Sequence, residues 1–218
     1  MNKLIQFNTI TSLINGNYEG NLEYQKLFDR GNFGIGTFDG LDGEMIGYNN
    51  KWFQIGSDAT VHQVLPTQTT PFACVTDFNV DFEFDLLEGG TYEELKQKIL
   101  EKIKEKGDQY FYAFKIVGAF NKIDLMTIEE VKEPYENFST LSEQALKIEL
   151  TEIDGIILGF WCPKYLSALQ PEGFHTHFIS TENKYGGHVS DFKATQLNVE
   201  LMQIQKYELV FSNYKNKP

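Results

Sequence analysis

Three of the four histidines in this 218-residue chain stand close together, in Gly-Phe-His175-Thr-His177-Phe-Ile-Ser and Tyr-Gly-Gly-His188-Val-Ser-Asp-Phe. In a strand, residues two apart point the same way. His175 and His177 would therefore share one face, while Phe174, Thr176 and Phe178 take the other. Residues 181–187 are rich in turn formers and predict a hairpin. A register that sets His188 opposite His177 would gather three imidazoles on one surface. Three neutral nitrogen ligands with a coordination position left open are what a catalytic zinc ion uses. The spacing also fits three polar aromatics on a solvated hairpin, but His-x-His with a third histidine nearby favours the metal.

Glu44 follows the glycine-rich run Gly34-Ile-Gly36-Thr37-Phe-Asp-Gly-Leu-Asp-Gly. Its Gly-x-Gly lacks the Rossmann spacing and no helix signal follows, so it reads as a strand ending in a turn. Such a turn presents the Glu44 carboxylate at a strand start, as a surface acid or as part of a site. Lys115 lies in the otherwise apolar Phe111-Tyr-Ala-Phe-Lys-Ile-Val-Gly-Ala-Phe120, and lysine is rarely buried without a partner. It reads equally as solvent-facing on an edge strand or as an anion anchor. His62 has no companion ligand and reads as structural or exposed.

The elements that must hold these groups are mostly short aromatic and β-branched strands parted by Gly, Asn and Asp. Strands are predicted over 33–38, 44–48, 51–55 and 72–78, with Asn49-Asn50 as a tight turn. Others cover 110–120, about 123–128, 153–161 and about 198–211, before a polar tail over 212–218. Gly155 and Gly159 would permit close backbone approach. Thr91-Tyr-Glu-Glu94 is a capping box, and Leu95, Ile99 and Ile103 continue it as an amphipathic helix to about Lys106. Lys132-Glu-Pro-Tyr135 breaks regularity, and the polar stretch to 144 reads as a connection between subdomains of about 1–135 and 145–218. Residues 163–169 read as a short helix or loop. The fold class is α+β: one domain of two closely joined subdomains, built on mixed or antiparallel sheets with few helices.

Hydrophobic residues at 41%, with 18 Phe and 11 Tyr, supply a sizeable core. Nineteen basic against 31 acidic residues leave a formal charge of −12, which disfavours nucleic acid and anionic membranes as partners. An anionic small molecule would then need local positive charge. No stretch is long and apolar enough to span a bilayer, and the N-terminus lacks the apolar core of a signal peptide, so the expectation is a soluble, cytoplasmic protein. Cys74 and Cys162, without Cys-x-x-Cys spacing, read as buried thiols in a reducing compartment.

The histidine segment resembles the metal-binding signature of α-acetolactate decarboxylases. The similarity runs in order from about Thr11 to Phe192. It includes Thr11-Ser-Leu-Ile-Asn-Gly-Asn-Tyr-Glu-Gly20, Gly34-Ile-Gly-Thr-Phe through Asp-Gly-Glu44, Phe111-Tyr-Ala-Phe-Lys115-Ile, Lys132-Glu-Pro-Tyr135 and Gly155-Ile-Ile-Leu-Gly-Phe160. The resemblance implies a two-subdomain protein, a homodimer, with zinc held by His175, His177 and His188. It makes Glu44 the active-site glutamate and places Thr37 near the metal and substrate. Two departures stand out. Lys115 occupies a position where many members carry arginine, keeping the charge but losing the planar fork. A further glutamate that family members bring from a C-terminal tail has no equivalent that we identify.

The implied reaction converts 2-acetolactate to acetoin and carbon dioxide. Zn²⁺ acts as a Lewis acid on the ketone and hydroxyl oxygens, Lys115 orients the carboxylate, and Glu44 handles the proton. Two alternatives remain. A cupin-type metal enzyme would use Glu182 as a ligand, although Leu169 and Val189 stand where that motif wants glycines. A noncatalytic or altered-specificity relative would bind a small hydroxy or keto acid.

Overall fold

The structure is a computed structural model that describes residues 1–211; the expected polar tail lies outside the described residues. The N-terminal part contains β1 (Lys3–Phe7), α1 (Ile10–Ile14), β2 (Leu22–Glu23), α2 (Gln25–Phe28), β3 (Phe33–Thr37), β4 (Glu44–Tyr48) and β5 (Lys51–Ile55). Then follow β6 (Val61–Gln63), β7 (Thr69–Thr70), β8 (Ala73–Thr76), β9 (Phe82–Leu86), β10 (Gly90–Thr91) and α3 (Tyr92–Lys106). The remainder is β11 (Phe111–Thr127), α4 (Phe138–Glu143), β12 (Leu146–Cys162), β13 (Gly173–Ser180), β14 (Gly186–Ile204) and β15 (Lys206–Val210).

Among the described residues, the strands form a seven-stranded sheet, β15-β1-β8-β3-β4-β5-β6, a six-stranded sheet, and the small pair β2–β7. The six-stranded sheet runs β10-β14-β11-β12-β13, with β9 also on β14; β14 pairs back to β13, so β11 to β14 close on themselves. β1 and β15 are parallel, and the other ladders are antiparallel. This is the mixed, strand-dominated α+β architecture expected.

Alternation sets the layers. Tyr112, Phe114 and Ile116 of β11 share a core with Leu95, Ile99 and Ile103 of α3. Phe111 and Ala113, on the opposite face, pack with Ile35, Ile46 and Cys74 of the seven-stranded sheet. α3 starts with the expected capping box: the Glu94 amide donates to Thr91 Oγ1 and the Thr91 amide to Glu94 Oε2. Asn49 and Asn50 both take positive φ, 51° and 58°, which suits the tight hairpin turn joining β4 and β5. Cys74 and Cys162 are buried free thiols, and burial pushes the Cys162 thiol up to about 12.

Two expectations are corrected. The two strands predicted over 110–128 are one long β11, whose register shifts near Phe120 and Asp124 bend it without ending it. The predicted last strand is two. At Gln205 the amides of Gln205 and Lys206 both donate to the Asn2 carbonyl, and the chain passes from one sheet to the other. The polar stretch after Tyr135 contains α4, capped by the Asn137 side chain accepting from the Thr140 amide. Sheet membership crosses this stretch in both directions. β9 to β11 already belong to the six-stranded sheet, and β15 returns to the seven-stranded one.

Gly155 shows why a glycine interrupts an apolar strand. A Cβ there would lie 2.2 Å from the Phe178 ring and 2.8 Å from the Ile179 carbonyl oxygen. Gly155→Ala is therefore expected to cost about 1–3 kcal/mol by overpacking, read as a lower urea midpoint at constant m value. An unchanged midpoint would show that the ring moves aside freely. No helix among the described residues is long and apolar enough to cross a membrane.

Candidate metal centre

β13 and β14 form the predicted hairpin, with His177 opposite His188. The three rings make a near-equilateral triangle: centroids are 5.0 Å apart for His175–His177, 5.3 Å for His175–His188 and 5.4 Å for His177–His188. One ligand nitrogen from each lies within 4.8 Å of the others. His177 Nδ1 is 3.0 Å from the Met45 carbonyl oxygen. Only a protonated Nδ1 can donate to that oxygen, which leaves Nε2 with its lone pair free. His177 Nε2 and His175 Nδ1 are both buried without a hydrogen-bond partner among the described residues. A buried polar atom left unpaired costs about 1–3 kcal/mol; two in one triangle fit a bound divalent ion.

Burial holds the imidazoles in the form a metal needs. It lowers His177 to about 3, with the neighbouring His188 adding to the effect, and lowers His188 to about 4. Burial first, then His177 and His188, holds His175 well below its ordinary range.

The acid arrives from the opposing sheet. Thr37 of β3 stands opposite Glu44 of β4, and both face the histidine-bearing sheet. Glu44 Oε2 lies 3.2 Å from His177 Nε2, without the geometry of a hydrogen bond. Burial raises the Glu44 carboxyl to about 8. The turn before it is tightly held: the Thr37 hydroxyl donates to the Gly43 carbonyl at 2.8 Å. Tyr24 and Thr70 hydroxyls donate to the Thr37 carbonyl at 2.8 and 2.6 Å. Gly43 itself has φ of 78°, and a Cβ would come within 2.0 Å of the Ile55 carbonyl oxygen, so only glycine fits.

A sequence model of the family "Alpha-acetolactate decarboxylase" matches residues 4–217. The chain belongs to this family. An alpha-acetolactate decarboxylase from Brevibacillus brevis is 33% identical over 208 residues, covering 95% of this chain and 72% of that protein. One from Methanosarcina mazei is 34% identical over 190 residues, covering 87% and 65%. The crystal structure of alpha-acetolactate decarboxylase from Bacillus subtilis strain 168 superimposes with a TM-score of 0.94 at 30% identity, covering 98% of this chain and 90% of that one. The chain is thus a carboxy-lyase family member, as the resemblance implied.

In this acetolactate decarboxylase family member, His175, His188, Glu44 and Thr37 line one cavity of about 420 Å³, and His177 completes the triangle. Lys115 is not brought there. β11 lies between β12 and β14, so it is no edge strand. Leu158 separates Lys115 from His177 along the row of paired residues. The Lys115 ammonium instead lies 2.7 Å from the half-buried Glu200 carboxylate. Glu182, the cupin ligand, is exposed and pairs with Lys184 at 2.5 Å, away from the histidines. His62 is exposed beside the Thr60 hydroxyl. Sequence reasoning missed Met126, which stands opposite His188, and Phe138 of α4. The asparagine cap at Asn137 was the available signal for that helix.

The buried imidazoles also set a pH dependence for the metal-free protein. In the unfolded chain each histidine protonates below about pH 6.5, whereas His188 and His177 resist until about 4 and 3 in the fold. The unfolded state thus binds more protons in that window, and stability falls as pH drops through it. Glu44 acts oppositely: its native proton stabilises the fold below about 4.5, and the benefit is lost as pH rises to about 8. Urea midpoints of apoprotein should fall on acidification below about pH 6.5, and His177→Leu should remove one proton's share, about 1.4 kcal/mol per pH unit. Identical slopes for both proteins would contradict this.

Proposed function

We propose that the chain decarboxylates 2-acetolactate to acetoin and carbon dioxide, with zinc held by His175, His177 and His188. The observation that carries the reading is the convergence of three neutral imidazoles, two with orphaned buried nitrogens, on one cavity that also holds Glu44. Zinc held there would supply Lewis-acid stabilisation for the negative charge that develops on the ketone oxygen as carbon dioxide leaves.

The chain's own residues do the rest. The Met45 carbonyl fixes the His177 ring by accepting from Nδ1–H, so Nε2 is held in place before any ligand arrives. Glu44, kept protonated near neutral pH by its burial, holds the proton that must reach the carbon losing carbon dioxide. Thr37 serves Glu44 through the Gly43 carbonyl, which makes it a positioning residue. The cavity that holds Glu44 is walled largely by apolar side chains. We read the enzyme as a single catalytic domain. Its buried free thiols suit the reducing cytoplasm, and a homodimer is taken over from the family.

Incubating zinc-loaded protein with racemic 2-acetolactate and measuring acetoin tests the reading. Acetoin should form well above the spontaneous rate and stop after chelation. Tight substrate binding without product would favour the noncatalytic alternative.

A further inference from the structure

The cavity is larger than a five-carbon acid requires. Its volume of about 420 Å³ lies within the ~300–1,000 Å³ range that encloses drug-sized ligands. Its polarity is also graded. The polar groups, His175, His188, Glu44 and Thr37, are gathered in its buried part, where Thr37 is 7% exposed. The apolar lining includes Ile10, Leu13, Leu41 and Phe138, with Met126 beside His188. At the open side stand Ile14, 49% exposed, and the exposed Ser142 and Glu172. α1 and α4, which pack together, supply much of this apolar wall. No lysine or arginine among the described residues lines it.

We infer that the site takes 2-hydroxy-3-oxo acids whose substituent at C2 is a longer apolar chain, with that chain lying along the wall formed by α1 and α4. The inference rests on the decarboxylase reading and extends its substrate class. The chemistry is unchanged by the chain. The C1–C2 bond breaks, its electron pair passes toward the C3 ketone, carbon dioxide leaves, and one proton is added at C2. The product is the corresponding 3-hydroxy-2-alkanone, and no oxidant or reductant is consumed. A methyl substituent touches little of the wall, whereas each further methylene that reaches it leaves water for an apolar surface.

The test uses the zinc-loaded full chain and racemic 2-hydroxy-3-oxobutanoates carrying methyl, propyl or pentyl at C2, with carbon dioxide release as readout. kcat/KM should rise with chain length, by up to about fourfold per methylene. Ser142→Trp, at the open side, should lower the pentyl-to-methyl ratio of kcat/KM at least tenfold. A pentyl substrate used less efficiently than the methyl one, or a ratio unmoved by Ser142→Trp, overturns the inference while the decarboxylase reading stands. Absence of turnover for every member, with zinc bound, overturns that reading itself and this one with it.

Discussion

His177→Ala protein is expected to retain zinc far below stoichiometry after dialysis and to form acetoin no faster than the spontaneous reaction. The side chain is fully buried and forms one corner of the triangle. Its removal leaves two imidazoles, one fewer than a catalytic zinc site uses. The loss in affinity should exceed the ~10–100-fold cost of removing an outer-shell partner. Alanine also leaves the Met45 carbonyl without its donor and opens a void, so His177→Gln serves as a second variant of similar size. Circular dichroism establishes that each variant is folded, and elemental analysis reads the metal. Full zinc occupancy in a folded His177 variant would remove the central assumption of the proposal.

Glu44→Gln should separate proton handling from metal binding. The amide matches the carboxyl in shape, so the zinc content should stay at the wild-type level while kcat falls by ~10²–10⁴-fold, the usual contribution of a positioned acid or base. KM should move little if Glu44 acts mainly in the proton step. Burial already keeps this carboxyl neutral up to about 8, so a neutral amide should not weaken the fold near pH 7. Thr37→Val gives a graded companion: it removes the donor to the Gly43 carbonyl, and its loss should appear in kcat with zinc retained. A Glu44→Gln enzyme turning over within threefold of wild type would reassign the proton to another group.

Lys115 shows where reading residues one by one stops working. A lysine amid Phe, Tyr and Ile announces either a solvent-facing side chain or a cation with a partner. Its partner, Glu200, lies in a strand far along the chain and meets it through the β11–β14 ladder. The resemblance implied a substrate carboxylate for Lys115; in the structure its ammonium pairs with the Glu200 carboxylate. Glu200→Gln leaves that ammonium without its charge partner, which makes the pair directly testable by stability measurements.

The sequence by itself determined what depends on near neighbours. The hairpin that sets His177 against His188, the capping box that starts α3, the Asn-Asn turn, and the inward and outward faces of the strands all follow from spacing within a few residues. Periodicity reports where a side chain points relative to its own backbone. It cannot report which distant face will pack against it. Only the tertiary structure decided that Glu44 comes to rest on His177, that the Met45 carbonyl, 132 positions away in sequence, orients the ring, and that α1 and α4 wall the cavity. Those contacts arise from one sheet stacked on another, where apolar burial fixes the alignment and the polar groups of the site are carried into place with it.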